Sequence, residues 1–347
     1  MSHGKFKWRL TAIIAMIALV LGGCSGEPFL STLTPQGENA EVLFDLMMLA
    51  TGIMTLVTLV VIIIFIYVSL KFRRTKEREN LIPKQVEGSH KLEIIWTVIP
   101  IILLLVLAVP TVAATINLSA DKDSIPENAL QVNVTGKLYW WEFEYPSEEI
   151  ITSQDLVIPA GERVYLKLKA GDVKHSFWVP AIAGKMDTNT DNDNYMWIHA
   201  YEPGMFYGKC AELCGPSHAL MDFKVRVLSK GDYEKWVANM KQPTEVPTDN
   251  VAQTGQEIFA KSCAGCHAVE SNDPRPAAGR LAPNLSNFAD RERVAGIKEM
   301  TPENINAWLA DPETIKPGNK MTNTYNLNPE EIEAVTQYLL TLSKENK

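Results

Sequence analysis

Cys210-Ala211-Glu212-Leu213-Cys214-Gly215-Pro216-Ser217-His218-Ala219-Leu220-Met221 gathers two thiols, an imidazole and a thioether within twelve residues. Soft sulfur beside imidazole suits copper, and a weak axial thioether marks electron-transfer copper sites. Zinc is the plain alternative for a Cys/His group, but its usual spacing sets C-x(2–4)-C against a distant His pair. Two cysteines rather than one can bridge two copper ions. Such a pair needs a second imidazole, and His175 in Lys174-His175-Ser176-Phe177-Trp178 supplies one. His199, in Trp197-Ile198-His199, reads as a satisfied structural residue.

Around this loop the chain reads as short strands. Leu130 to Val134, Val164 to Leu168 and Phe223 to Val227 alternate apolar and polar side chains, with turns at Pro159-Ala160-Gly161 and Glu202-Pro203-Gly204. Strands that hold a sulfur-rich loop near their end fit an all-β Greek-key barrel. The predicted unit covers residues 121–240.

Two more cysteines lie downstream. Cys263-Ala264-Gly265-Cys266-His267 is the C-x-x-C-H pattern of covalent c-type haem attachment, with His267 as proximal ligand. A Met/His-ligated iron needs a thioether further on. Met321 follows Lys316-Pro317-Gly318-Asn319-Lys320 on a Pro/Gly-shaped loop and is preferred. Met300, just before a helix start at Thr301-Pro302-Glu303, reads as surface or core. Helical patterning at Gly255–Lys261, Pro302–Leu309 and Pro329–Leu342 makes residues 251–347 an all-α unit. Residues 241–250, with two prolines and no periodicity, read as a linker.

Upstream, Leu46 to Leu70 and Ile94 to Ile116 carry no charge. Each exceeds the roughly 20 apolar residues that a bilayer crossing takes. Residues 40–120 are thus predicted to be a transmembrane helix hairpin. Lys71, Arg73, Arg74, Lys76, Arg78, Lys84 and Lys91 face four acids between the two runs, so that loop is expected in the cytoplasm. The mature N-terminus and everything after residue 117 then lie on the outer face. Lys5, Lys7 and Arg9 followed by the apolar Leu10 to Leu21 read as a signal peptide over 1–23. Leu21-Gly22-Gly23-Cys24 resembles a bacterial lipobox, which would make Cys24 the lipid anchor. A net charge of −8 argues against nucleic acid as a partner.

The pattern His175 … Cys210-x-Glu212-x-Cys214-x-x-x-His218-x-x-Met221 resembles the dinuclear copper A site of cytochrome c oxidase subunit II. With the haem unit fused behind it, the chain is similar to the caa-type members of that family. The resemblance implies a cupredoxin fold for the copper unit and a class I cytochrome c fold for residues 251–347. It further implies that Cys210 and Cys214 bridge two coppers, that His175 and His218 bind one each, and that Met221 and the Glu212 carbonyl are weak ligands. The Glu212 side chain is implied on a magnesium ion facing subunit I. Glu93, in Glu93-Ile94-Ile95-Trp96-Thr97-Val98-Ile99-Pro100, corresponds to an acid at the mouth of a proton path.

One departure stands out. Where the family carries Gly-x-Gln-Trp-x-Trp, with its first Trp taking electrons from cytochrome c, this chain has Gly136-Lys137-Leu138-Tyr139-Trp140-Trp141. Tyr139, Trp140 and Trp141 are therefore the candidates for electron input. The resemblance implies subunit II of a terminal oxidase in a bacterial cell membrane. Cytochrome c or another donor would supply electrons, and subunits I and III would be the partners. Oxygen reduction and proton pumping would belong to subunit I. A copper A nitric oxide reductase subunit and a free-standing membrane electron shuttle are the alternatives.

Overall fold

A computed structural model describes residues 30–76, 79, 82 and 85–345, together with positions 8, 11, 12, 14–16 and 18. The predicted n-region, the lipobox with Cys24, and Arg78 and Lys84 lie outside the described residues.

Two long helices come first: α1 (Glu38–Lys71, 34 residues) and α2 (His90–Leu118, 29 residues). At 1.5 Å per residue both exceed the roughly 30 Å of a bilayer's hydrocarbon. Their apolar windows are unburied within the chain, as lipid-facing surface would be. Each helix overruns its charge-free run because polar turns continue it past the apolar stretch. The first turn of α1 is seated on the next domain. Gln36 N donates to Ala181 O (2.7 Å), Tyr201 N to Gln36 O (3.0 Å), and Asn39 Nδ2 to Trp197 O (3.1 Å). Arg163 pairs with Glu38 and lies 4.1 Å over the Trp197 ring.

The β domain is a sandwich. The strands are β1 (Gln131–Lys137), β2 (Trp140–Tyr145), β3 (Ile150–Ser153), β4 (Asp155–Pro159) and β5 (Val164–Ala170). They continue as β6 (His175–Trp178), β7 (Lys185–Thr188), β8 (Asn194–Ile198), β9 (Gly204–Cys210) and β10 (Asp222–Leu228). One sheet runs β3-β2-β1-β5-β8 and the other β4-β10-β9-β6-β7. Trp141, Phe143, Phe177, Phe223 and Val225 fill the space between them, each almost completely buried. Inward residues alternate along β5, as its sequence pattern predicts. On β2 the alternation breaks, because Glu142 on the outer face is covered by the following domain. Helix α3 (Lys230–Met240), which the sequence reading did not anticipate, starts on a Ser229 cap and buries Tyr233, Trp236 and Met240 against the sandwich.

The last domain is helical: α4 (Asn250–Ser262), α5 (Pro302–Ala310), the short α6 (Pro312–Ile315) and α7 (Pro329–Leu339). Asp249, Thr301 and Asn328 cap their helices, and proline opens α5, α6 and α7. A two-residue ribbon, β11 (Arg293–Val294) with β12 (Lys298–Glu299), departs from the all-α expectation. Helices α4 and α7 cross so closely that a Cβ on Gly255 would stand 1.9 Å from Ala334 O. Gly255→Ala must spread this crossing. Overpacking of that kind costs about 1–3 kcal/mol or more, which outweighs the gain of about 1 kcal/mol in helix propensity. The thermal midpoint of this domain is expected to fall by several degrees in calorimetry; an unchanged midpoint would mean that the crossing opens freely.

Residues 241–250 form no helix or strand before Asn250, yet they are pinned. Thr244 N donates to the Glu270 carboxylate (3.0 Å), Thr244 Oγ1 to Val269 O (2.7 Å), and Lys344 Nζ to Gln242 O (2.5 Å). The helical domain itself is docked on the sandwich. Ile151 N donates to Ser271 O (2.8 Å), Asn284 N to Ser153 Oγ (3.0 Å), and Lys224 pairs with Glu292.

Candidate copper and haem centres

The loop between β9 and β10 folds back on itself through a short 3₁₀ turn at His218–Leu220. That turn returns His218 and Met221 to the two cysteines, and β6 brings in His175 from the neighbouring strand. Cys210 Sγ and Cys214 Sγ stand 3.9 Å apart. A disulfide needs about 2.05 Å, so both are thiols. His175 Nδ1 is 3.9 Å from Cys210 Sγ, and Glu212 O is 3.2 Å from the same sulfur. His218 Nδ1 is 3.7 Å and Met221 Sδ 3.9 Å from Cys214 Sγ. Donors 3.7–3.9 Å apart can share one metal ion held by bonds of about 2.0–2.3 Å. The set divides into two halves, His175 with the Glu212 carbonyl and His218 with Met221, around a shared pair of sulfurs. One zinc would use four donors and have no use for a thioether. The donor chemistry fits a dinuclear soft-metal site.

The electrostatics point the same way. Burial opposes ionisation of Cys210, but hydrogen bonds from His175 and from the neighbouring backbone hold its thiol below the usual range. Burial and the charge on Cys210 push the Cys214 thiol up. Losing both protons in apo protein is therefore unfavourable, and a bound cation is what would stabilise the pair. Asp172, which the sequence reading did not single out, accepts from His175 Nε2 (2.9 Å) and so orients the imidazole. Its burial would raise its pKa, but hydrogen bonds from His175, Leu138, Val173 and Lys320 outweigh it and hold the carboxyl well below the usual range. Trp141 is buried beneath the cluster, 6.1 Å from the His175 ring and 5.2 Å from Phe223. His199 stays outside it, and its buried Nδ1 finds no hydrogen-bond partner among the described residues.

The second centre is a cavity of about 860 Å³ at the domain boundary. Cys263, Cys266, His267 and Met321 all line it, with Leu285, Phe288, Val294 and Trp308 as apolar lining. Met300 lies in the core of the helical domain, its N bonded to Glu292 O (3.0 Å). His267 Nδ1–H donates to Pro283 O (2.7 Å), which leaves Nε2 as the free donor atom. Burial pulls its pKa down to about 4, so the ring is neutral, as ligation requires. Arg291 and Lys316 also line the cavity; both are buried, and Arg291 Nε lacks a partner among the described residues. Burial pulls the Lys316 amine down to about 7, and Arg291 has no ion pair among the described residues, so an anion in the cavity would stabilise both as cations. A haem, apolar with two carboxylates, meets each of these demands.

The two centres adjoin. Tyr139, Trp140 and Lys137 of the sandwich close one wall of the cavity. Ser217 Oγ, in the cysteine loop, donates to Pro317 O (2.6 Å), in the Met321 loop. The Tyr139 phenol is wedged between these loops: a Cβ on Gly215 would come within 2.5 Å of its oxygen, and one on Gly318 within 3.4 Å. Burial pushes that phenol's pKa up. Glu93 sits apart in the first turn of α2, 3.4 Å from His90 Nδ1.

Residues 25–114 and 148–228 match the transmembrane and periplasmic domains of cytochrome C oxidase subunit II, and residues 252–343 match cytochrome c. The chain is 57% identical to the cytochrome c oxidase subunit 2 of Bacillus sp. (strain PS3), over 99% of this chain and 100% of that one. It is 52% identical to the subunit 2 of Bacillus subtilis (strain 168), over 98% and 99%. A solved periplasmic domain of subunit II of cytochrome oxidase from Bradyrhizobium japonicum aligns with 29% identity and a TM-score of 0.32, over 33% of this chain and 94% of that domain.

Proposed function

Because the chain belongs to the cytochrome c oxidase subunit II family, we propose that its two donor sets hold a copper pair and one covalent haem on the outer face of a bacterial membrane. As subunit II of an oxidoreductase complex, it relays electrons toward subunit I, where oxygen is reduced. Cytochrome c or a similar small redox protein is the proposed donor, and subunit III the further partner. The observation that carries the reading is a set of four donors within 3.2–3.9 Å of two free thiols that themselves stand 3.9 Å apart.

When bound, the haem iron and the copper pair each supply a one-electron redox couple. The chain's own residues do the rest. Cys263 and Cys266 would anchor the porphyrin, His267 and Met321 would hold its iron, and Arg291 with Lys316 would stabilise its carboxylates. Cys210, Cys214, His175, His218, Met221 and the Glu212 carbonyl would hold the copper pair. The Glu212 carboxylate is the proposed magnesium ligand toward subunit I, and Glu93 the proposed proton-uptake residue. Residues 1–23 are read as a signal peptide and Cys24 as the lipid anchor.

Tyr139 and the Ser217–Pro317 bond bridge the two loops directly, so electrons are proposed to cross there. A flexible tether would act only through an effective concentration of about millimolar. Here the linker is pinned and the domain docked, and contact replaces search.

Metal analysis of the intact protein tests the assignment: two coppers and one haem per chain are expected, with a near-infrared copper band. Zinc or an oxidised cystine at Cys210 and Cys214 would overturn it. Replacing Met321 with Leu is expected to shift the haem potential downward, since Met/His ligation raises it; redox titration reads this, and an unchanged potential would move the axial role to another residue.

A further inference from the structure

Asp172 lies in the turn between β5 and β6 and is the meeting point of the two redox domains. Its Oδ1 accepts from His175 Nε2 (2.9 Å) and Val173 N (2.8 Å). Its Oδ2 accepts from Leu138 N (2.8 Å) and from Lys320 Nζ (3.0 Å). Three of these donors belong to the sandwich. The fourth belongs to the helical domain, from the residue just before Met321. On the other side of the His175 ring, Nδ1 faces Cys210. A single chain of contacts therefore runs from the haem loop through a carboxylate to a proposed copper ligand.

We propose that Asp172 is a positioning residue through which the docked haem loop tunes the copper pair, with Lys320 as the control. A carboxylate that accepts the Nε2 proton makes the opposite ring nitrogen a stronger donor to its metal. A cation on the same carboxylate withdraws part of that push. With Lys320 in place, His175 is a weaker donor and the reduced coppers are favoured. Without it, Asp172 draws harder on the imidazole and the oxidised coppers gain. Ser217–Pro317 and Lys320–Asp172 are thus different in kind: the first holds the loops together, the second changes a ligand. The proposal rests on the reading of His175 as a copper ligand.

The test uses full-length, metal-loaded protein. Lys320 is mostly exposed, so Lys320→Met leaves the core intact. Its copper potential is expected to fall, with altered histidine-nitrogen hyperfine couplings in the electron paramagnetic resonance of the copper pair and an unchanged haem spectrum. Lys320→Arg should restore both. Asp172→Asn should move the copper potential in the opposite direction, upward. Unchanged nitrogen couplings in Lys320→Met, whether or not the potential moves, would overturn the route through Asp172, because a bare change of nearby charge leaves the couplings alone. Shifts of the same sign in Lys320→Met and Asp172→Asn would overturn it too. Wild-type protein lacking the near-infrared band would instead defeat the copper reading itself.

Discussion

Serine at position 214 is expected to abolish the copper pair while leaving the haem optical spectrum in place. Cys214 Sγ is the hub of the cluster, within 3.7–3.9 Å of Cys210 Sγ, His218 Nδ1 and Met221 Sδ. Oxygen is a hard donor, and a serine hydroxyl keeps its proton at neutral pH. It can neither bridge soft ions nor balance their charge. Changing an outer-shell partner of a metal site costs about 10–100-fold in affinity or activity, so loss of a bridging ligand should exceed about 100-fold. Copper content, the near-infrared band and donor-driven oxygen uptake should vanish together. The proposed haem ligands lie within residues 263–321 and line a separate cavity, so the haem should keep its spectrum. Full copper content and turnover in Cys214→Ser would defeat the assignment.

Glu142→Ala is expected to loosen the haem domain from the sandwich. Glu142 is 2% exposed and holds two cations at once, Lys137 of its own sheet (3.0 Å) and Arg280 of the helical domain (3.1 Å). Lys137 Nζ also donates to Arg280 O (2.7 Å), so the three residues stitch the boundary. Removing one partner from a buried ion group costs about 3–5 kcal/mol, because the remaining charges stay buried without it. Among the described residues, Arg280 would keep one ion-paired carboxylate, Glu144 (3.3 Å). Flash-induced electron transfer from haem to copper should slow and become salt-dependent, and amide exchange should rise around residues 277–281. Gln in place of Glu142 should fall between wild type and Ala. Transfer rates and exchange that match wild type in both variants would mean that other contacts hold the domain.

Much of both centres was legible because their donors are local in sequence. Cys210 to Met221 and Cys263 to His267 are each a short local run, and soft sulfur beside imidazole at that spacing narrows the chemistry before the fold is known. His175 lies 35 residues upstream and was reachable only because a second imidazole was needed. Asp172 carries no such mark; an acid three residues before a His means nothing until a strand turn aims one at the other. The boundary between the domains was invisible for a related reason. Lys137, Glu142 and Arg280 belong to no motif that separates them from surface charge, and on β2 Glu142 occupies the position where alternation predicts solvent. Residues 241–250 read as a free tether for want of periodicity, although Thr244 and Gln242 are bonded in place. Helix α3 was missed despite its Ser229 cap, since its apolar face is only Tyr233, Trp236 and Met240 wide.

The seating of α1 on the sandwich fixes an azimuth as well as a height. Hydrogen bonds on Gln36 and Asn39 and the Glu38–Arg163 pair tie the start of the membrane helix to the sandwich at several points. The direction in which the cysteine loop points is therefore set by where the helix begins its winding. Adding one residue just inside the helix would turn the whole outer domain by about 100° relative to the bilayer-embedded face and lift it by about 1.5 Å. A partner that grips the helices and must also meet the loop would lose one grip or the other.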